Sequence, residues 1–215
     1  MTTVEEARET VCKTGMRLVE LGLVPGTWGN VSLRIDNERM AITPSGLDYG
    51  NITPEDIVLV NLRDGTYEGP KPSNEKRLHG AIYLARKEVN AVIHTHSPNA
   101  STVAAARREV PPILEDLVQI AGPTVRVTEY AIASTRKAAK NAVKALVGRS
   151  AVLLANHGAV CVGRTMEEAV TCCQVLEKGC RSFIEAEFLG GAKSINRFEA
   201  ALMRQYYLRI YSKQR

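Results

Sequence analysis

The chain is short of aromatic residues: it has three Phe and one Trp, and Phe, Trp and Tyr together make up 5% of its 215 residues. That leaves little material for stacking on nucleobases, the usual platform of single-strand binders. Long apolar runs are also missing, since stretches such as Ala151 to Ala155 fall far short of the roughly 18 residues a spanning helix needs. The five cysteines (Cys12, Cys161, Cys172, Cys173 and Cys180) form no C-x-x-C pair. An odd, scattered set excludes a disulfide framework and a zinc ribbon, and predicts reduced thiols in a cytoplasmic protein. Early Glu5, Glu6 and Glu9, with no basic patch leading into an apolar stretch, predict neither a secretory signal nor a transit peptide. Internal repeats, low-complexity tracts and Pro/Gly/Ser linkers are missing as well, so one domain is expected over residues 1–215.

What is present is ordinary for a soluble globular chain: 45% hydrophobic and 24% charged residues. The net charge of +5 comes from 28 basic residues dispersed among 23 acids. Only Arg204, Arg209, Lys213 and Arg215 thicken toward the end, and they read as a solvated helix terminus. Such a balance suits an anionic small molecule as well as it suits nucleic acid, and the dispersed charge and scarce aromatics argue against the latter.

Apolar spacing predicts a helix over residues 3–22, then strands at Val31–Ile35, Met40–Thr43 and Ile57–Asn61, with a hairpin at Asp64-Gly65. Ser73 is the expected cap of a helix carrying Leu78 and Ile82 inward, and a strand at Ala91–Thr95 precedes a helix from Pro98. A weak strand at Val125–Val127 and a helix over Ser134–Val147 follow. Two short strands then flank His157-Gly158, and helices close the chain at Thr165–Leu189 and Ser194–Tyr211. This order predicts a layered α/β or α+β domain.

Three of the four histidines stand at strand ends. His94 and His96 are two apart, so their side chains share a face and can reach one cation. His157 follows an apolar strand and precedes a glycine, where the chain can turn tightly. Three imidazoles leave a coordination position open for substrate, the pattern of a catalytic zinc. Glu75, in the first turn of its helix, complements the helix dipole or, near a cation, acts as ligand or proton carrier. His79, one turn on, reads as a packed helix residue. Three further segments suit an anion: Gly26-Thr27-Trp28-Gly29-Asn30-Val31-Ser32, Thr43-Pro44-Ser45-Gly46, and Ser73-Asn74 at a helix N-terminus. None is a Walker or dinucleotide fingerprint.

In this order these segments, with Lys71-Pro72-Ser73-Asn74-Glu75, His94-Thr95-His96-Ser97 and Asn156-His157-Gly158, resemble the class II aldolase/adducin family nearly end to end. The resemblance implies a central, mainly antiparallel sheet flanked by helices. It also implies a homotetramer with active sites at subunit interfaces. His94, His96 and His157 would be zinc ligands, with Glu75 a fourth ligand that shuttles the proton. Thr27, Asn30, Ser45, Gly46, Ser73 and Asn74 would receive the substrate's phosphate. The implied reaction is reversible cleavage of a ketose 1-phosphate, of the L-fuculose 1-phosphate kind, to dihydroxyacetone phosphate and an aldehyde through a metal-stabilised enediolate. Other sugar-phosphate lyases of the family, including aldolases of 5-deoxy- and methylthio-ribulose phosphates, are alternatives. An L-ribulose-5-phosphate 4-epimerase-like activity and a non-catalytic scaffold are further ones. Asp116 stands where the aldolases have a catalytic tyrosine and is reminiscent of the epimerases. Tyr206 is the counterpart of a tail tyrosine.

Overall fold

Asn30, Ser32 and Arg34 alternate with Val31 and Leu33, a period of two that sends polar and apolar side chains to opposite faces of one strand. In the computed structural model, which describes residues 2–210, this strand (β1, Asn30–Arg34) is buried along its whole length. It is followed by β2 (Arg39–Ile42), β3 (Val58–Asn61), β4 (Tyr67–Glu68), β5 (Ala91–Thr95), β6 (Arg126–Val127), β7 (Ala151–Leu154) and β8 (Gly158–Gly163). They form one sheet in the order β4-β3-β2-β1-β5-β8-β7-β6. Every neighbouring pair is antiparallel except β6 and β7, so the sheet is mixed.

The helices are α1 (Val4–Glu20), α2 (Lys76–Ala85), α3 (Pro98–Ala105), α4 (Glu115–Ile120), α5 (Arg136–Ala145), α6 (Met166–Phe188) and α7 (Arg197–Arg209). Strand alternation decides which of them meet. On one face Val31, Ile93, Leu153 and Cys161 pack with Val11 and Leu18 of α1, Val103 of α3, Leu117 of α4 and Leu176 of α6. On the other, Met40, Val92, Val152 and Val160 pack with Leu78 and Ile82 of α2 and Ala139 and Ala142 of α5. Helix, sheet and helix therefore form three layers with a core on each side. All five cysteines are free and buried in this frame. Among the described residues no helix is long and apolar enough to cross a membrane.

Several boundaries differ from the sequence expectation for local reasons. Ser73 stands two residues ahead of the N-cap of α2, which is Glu75, and its amide donates to the Thr43 carbonyl (3.1 Å) beside a bridge between Pro44 and Pro72. The Ser73 hydroxyl accepts from the Glu75 amide at 3.2 Å, and the helix starts at Lys76. Ser134 has φ 65, outside the extended region a cap needs, so Thr135 caps α5 by accepting from the Ala138 amide at 3.2 Å. The last helix begins at Arg197, capped by Asn196, and the expected end at Tyr211 lies outside the described residues, as do Lys213 and Arg215. Helix α4, only 6 residues long, left no periodic signal to read.

Candidate active site

The central strands converge on one buried point. His94 is the penultimate residue of β5 and is fully buried, paired with Asn30 of β1 on one side and Val160 of β8 on the other. Its Nδ1 lies 2.9 Å from the Ala159 carbonyl. A carbonyl only accepts, so Nδ1 carries the hydrogen and Nε2 is turned into the site. His96 follows just past the strand end, its ring centroid 5.4 Å from that of Trp28. The Nε2 atoms of His94 and His96 are 2.8 Å apart, an approach that the shared face of an i, i+2 pair allows.

His157 comes from a three-residue turn, Ala155 to His157, that closes the β7–β8 hairpin. Asn156 there takes the left-handed conformation at φ 57, which asparagine tolerates better than most residues. The next residue must be small: a Cβ on Gly158 would collide with the Thr95 carbonyl and stand 3.2 Å from His94 Cε1. We therefore expect Gly158→Ala to lower stability by about 2 kcal/mol or more, since the clash is with backbone that cannot swing away. Thermal unfolding beside a Gly65→Ala control, whose Cβ would meet nothing within 4 Å, checks this against the cost of its φ of +74. An unchanged midpoint for Gly158→Ala would mean the turn does not press on β5.

Together His94, His96 and His157 offer three ring nitrogens within 4.8 Å of one another. Glu75, at the N-cap of α2, closes the fourth side: Oε2 lies 3.0 Å from His94 Nε2 and Oε1 3.9 Å from His157 Nδ1. The Asn30 side-chain amide donates to the same Oε2 at 3.0 Å. Burial pushes the Glu75 carboxyl up, but His94, Asn30, His157 and His79 together outweigh it and hold it below its ordinary value. Burial, then His94 and His157, push His96 down to about 4, and burial and His94 lower His157. Three imidazole nitrogens beside a carboxylate are a fitting donor set for a divalent transition metal.

The three anion-binding segments also meet here. The Thr43–Gly46 turn is stitched to the approach of α2 by Ser45 N donating to the Lys71 carbonyl (2.9 Å) and Ser73 N to that of Thr43 (3.1 Å). Thr43 in turn exchanges bonds with Val31, its amide donating to the Val31 carbonyl (3.0 Å) and its hydroxyl accepting from the Val31 amide (3.2 Å). Thr27, Gly46 and Asn74 are exposed along these loops, Ser45 is half-buried and Ser73 buried. Asn30 is different: both ends of its amide are engaged, Nδ2 on Glu75 and Oδ1 with His79 at 2.5 Å. Asp116, near the start of α4, pairs with Lys178 of α6 and accepts from the Leu117 amide at 3.0 Å. Tyr206 lies on α7 and is 57% exposed.

The sequence reading passed over Trp28 as a neighbour of His96, took Ser32 only as part of an anion-binding segment, and passed over Tyr83 altogether. Tyr83 Oη lies 2.8 Å from Ser32 Oγ, which lies 2.6 Å from His79 Nδ1. The available signal was a strand, Asn30–Arg34, whose polar residues recur every second position although all five are buried.

Comparison with known proteins agrees with this architecture. The profile of the Class II Aldolase and Adducin N-terminal domain matches residues 9–184. A 5-deoxy-D-ribulose 1-phosphate aldolase of Bacillus thuringiensis serovar kurstaki is 35% identical over 192 residues, covering 88% of this chain and 90% of the relative. A 5-methylthioribulose-1-phosphate/5-deoxyribulose-1-phosphate aldolase of Rhodospirillum rubrum is 37% identical over 164 residues, 76% of this chain and 73% of the relative. The solved structure of an L-fuculose 1-phosphate aldolase superposes with a TM-score of 0.90 at 33% identity, covering 94% of this chain and 96% of that one. Fold, histidine cluster and sequence similarity agree: the chain belongs to the class II aldolase and adducin family.

Proposed function

We propose that this protein is a zinc-dependent aldehyde-lyase that reversibly cleaves a ketose 1-phosphate to dihydroxyacetone phosphate and an aldehyde. The observation that carries the reading is the buried carboxylate of Glu75, held 3.0 Å from His94 Nε2 at the edge of the three-histidine cluster. A divalent cation held by His94, His96 and His157, with Glu75 as a displaceable fourth ligand, would supply Lewis-acid polarisation of the substrate carbonyl. In the condensation direction Glu75 takes a proton from the carbon beside that carbonyl, and in cleavage it returns one. An ionised resting carboxylate is the state that the first role requires.

Thr27, Ser45, Gly46, Ser73 and Asn74 receive the phosphate from the loops bridged at Pro44 and Pro72. Asn30 borders that pocket with its amide turned toward Glu75. Beside Glu75 and His157 runs a narrow cleft of mixed character, with Leu78, Ala131 and Leu154 on its wall together with Thr128, Glu129 and Thr135. The deoxy-ketose phosphates named for the relatives are the substrate class we place here, on sequence similarity. A cytoplasmic homotetramer with sites at its interfaces is the assembly in which we place this chemistry.

Phosphorus NMR of zinc-loaded protein with 5-deoxyribulose 1-phosphate, fuculose 1-phosphate and L-ribulose 5-phosphate tests the proposal. We expect a dihydroxyacetone phosphate resonance from at least one ketose 1-phosphate, lost on chelation and restored by zinc. Conversion of ribulose 5-phosphate to its epimer without fragment release would replace the aldolase reading with an epimerase. Silence across the panel would remove it in favour of a different substrate or a scaffold.

A further inference from the structure

A buried line of hydrogen bonds leads away from the histidine cluster behind Glu75. Asn30 Nδ2 donates to Glu75 Oε2 (3.0 Å), and Asn30 Oδ1 lies 2.5 Å from His79 Nε2. His79 Nδ1 lies 2.6 Å from Ser32 Oγ, and Ser32 Oγ 2.8 Å from Tyr83 Oη. His79, Ser32 and Tyr83 are fully buried and Asn30 is 5% exposed. Their arrangement follows from two periodicities: Asn30 and Ser32 are two apart on β1, and His79 and Tyr83 are one turn apart on α2, which packs over that face.

Donor and acceptor capacities fix the line from Glu75 as far as His79 Nε2. The Asn30 Nδ2 lies 3.0 Å from Glu75 Oε2, and an amide nitrogen only donates, so the NH2 of Asn30 faces Glu75. Its carbonyl oxygen then faces His79, whose Nε2 must carry the hydrogen. Burial keeps this imidazole neutral, pushing its pKa down to about 3. Nδ1 therefore presents a lone pair, and the Ser32 hydroxyl donates to it. Beneath it, the Tyr83 hydroxyl has the Ser32 carbonyl at 3.0 Å and the Asn90 carbonyl at 3.3 Å as further acceptors.

We propose that His79 is a positioning residue of the active site: its Nε2–H holds the Asn30 amide with NH2 toward Glu75, and thereby keeps the Glu75 carboxylate aimed at the histidine cluster. The need for it is geometric. A side-chain amide is nearly symmetric in shape, and turned over it would set Oδ1 against the Glu75 carboxylate, two acceptors with no proton between them. The bond to His79 secures the Oδ1 end of the amide, so both ends hold the orientation that Glu75 needs. This inference rests on the proton-transfer role given to Glu75 above.

Two variants separate positioning from packing. His79→Gln keeps an NH2 at about the reach of Nε2, whereas His79→Leu fills space without a donor. With whichever ketose 1-phosphate the parent cleaves, His79→Leu should lower kcat at least about tenfold with KM changed less than about threefold. His79→Gln should recover most of that loss. Equal losses in the two variants, or none in His79→Leu, would overturn the proposal.

A second arm needs neither activity nor metal. Long-range nitrogen–proton spectra of the metal-free parent should place the His79 hydrogen on Nε2, and the Asn30 side-chain amide should shift in His79→Leu. A hydrogen on Nδ1, or an unmoved Asn30 amide in the folded variant, overturns the relay. If the parent cleaves no ketose phosphate, the proposed activity falls while these spectra still decide the relay.

Discussion

His94→Ala should lower zinc affinity at the proposed site by more than about 100-fold, beyond the loss typical of disturbing a residue behind a ligand. The reason is positional as well as chemical. His94 is fully buried, and its Nδ1–H···O=C bond to Ala159 points Nε2 toward His96 and Glu75. Alanine removes the nitrogen nearest both partners and leaves the Ala159 carbonyl without its side-chain donor. The β5 ladders to β1 and β8 do not depend on the ring, so the variant should fold at reduced stability. His157→Ala is the gentler companion, because that side chain stands in a turn and is 24% exposed, whereas His94 is fully buried in the sheet. Zinc titration against a chelating indicator, with metal analysis of the dialysed proteins, reads both. Binding equal to the parent in the two variants would refute the metal assignment.

That expectation was legible in the sequence because the spacing of His94 and His96 is a local property of a strand. Side chains two apart share a face in any register, and the apolar run Ala91–Ile93 marked the strand. His157 was legible for a related reason: an apolar strand followed by Asn-His-Gly has to turn, and the turn carries the histidine to a strand end. The layered architecture followed from the order of elements. What spacing does not encode is which distant segments meet. Asn30 was read with the glycine-bearing segment before it and given to the phosphate, but β1 begins at Asn30 and sets it opposite His94. From there its nearest polar partners are Glu75 and His79, 45 and 49 positions away.

The same limit explains His79. A lone histidine on the inner face of an amphipathic helix reads as packing, and it is fully buried. Its role emerges only when α2 is laid over β1, where Asn30, Ser32 and Arg34 form a polar row inside the fold. Arg34 extends that row, its guanidinium 4.8 Å from the centre of the Tyr83 ring and donating to the Tyr83 carbonyl at 2.7 Å. A buried strand with polar residues at every second position is thus a sequence signal in its own right. It marks a strand face whose polar groups must be satisfied by whatever packs on it.

Glu75→Gln should leave a folded protein that retains metal yet exchanges the dihydroxyacetone phosphate proton with solvent about 100-fold or more slowly, the range of a lost general base. The three histidines that would hold the cation are untouched, and glutamine fills the same volume. The amide cannot accept and return a proton at neutral pH. It also meets the Asn30 NH2 with a choice of orientation that the carboxylate never had, which disturbs the relay from its other end. Stability should respond in the opposite sense in the metal-free protein near pH 4. The folded state holds the Glu75 carboxyl below its ordinary value, so the unfolded chain binds that proton more readily. Its stabilising contribution is therefore present above the ordinary carboxylate range and lost as pH falls through the folded value, and Glu75→Gln should flatten that part of the pH–stability curve. Deuterium wash-in followed by proton NMR measures the exchange, and chemical unfolding across the acid range measures the slope. Exchange at the parent rate in a metal-loaded Glu75→Gln protein would take the proton-transfer role away from Glu75 and leave it as a ligand alone.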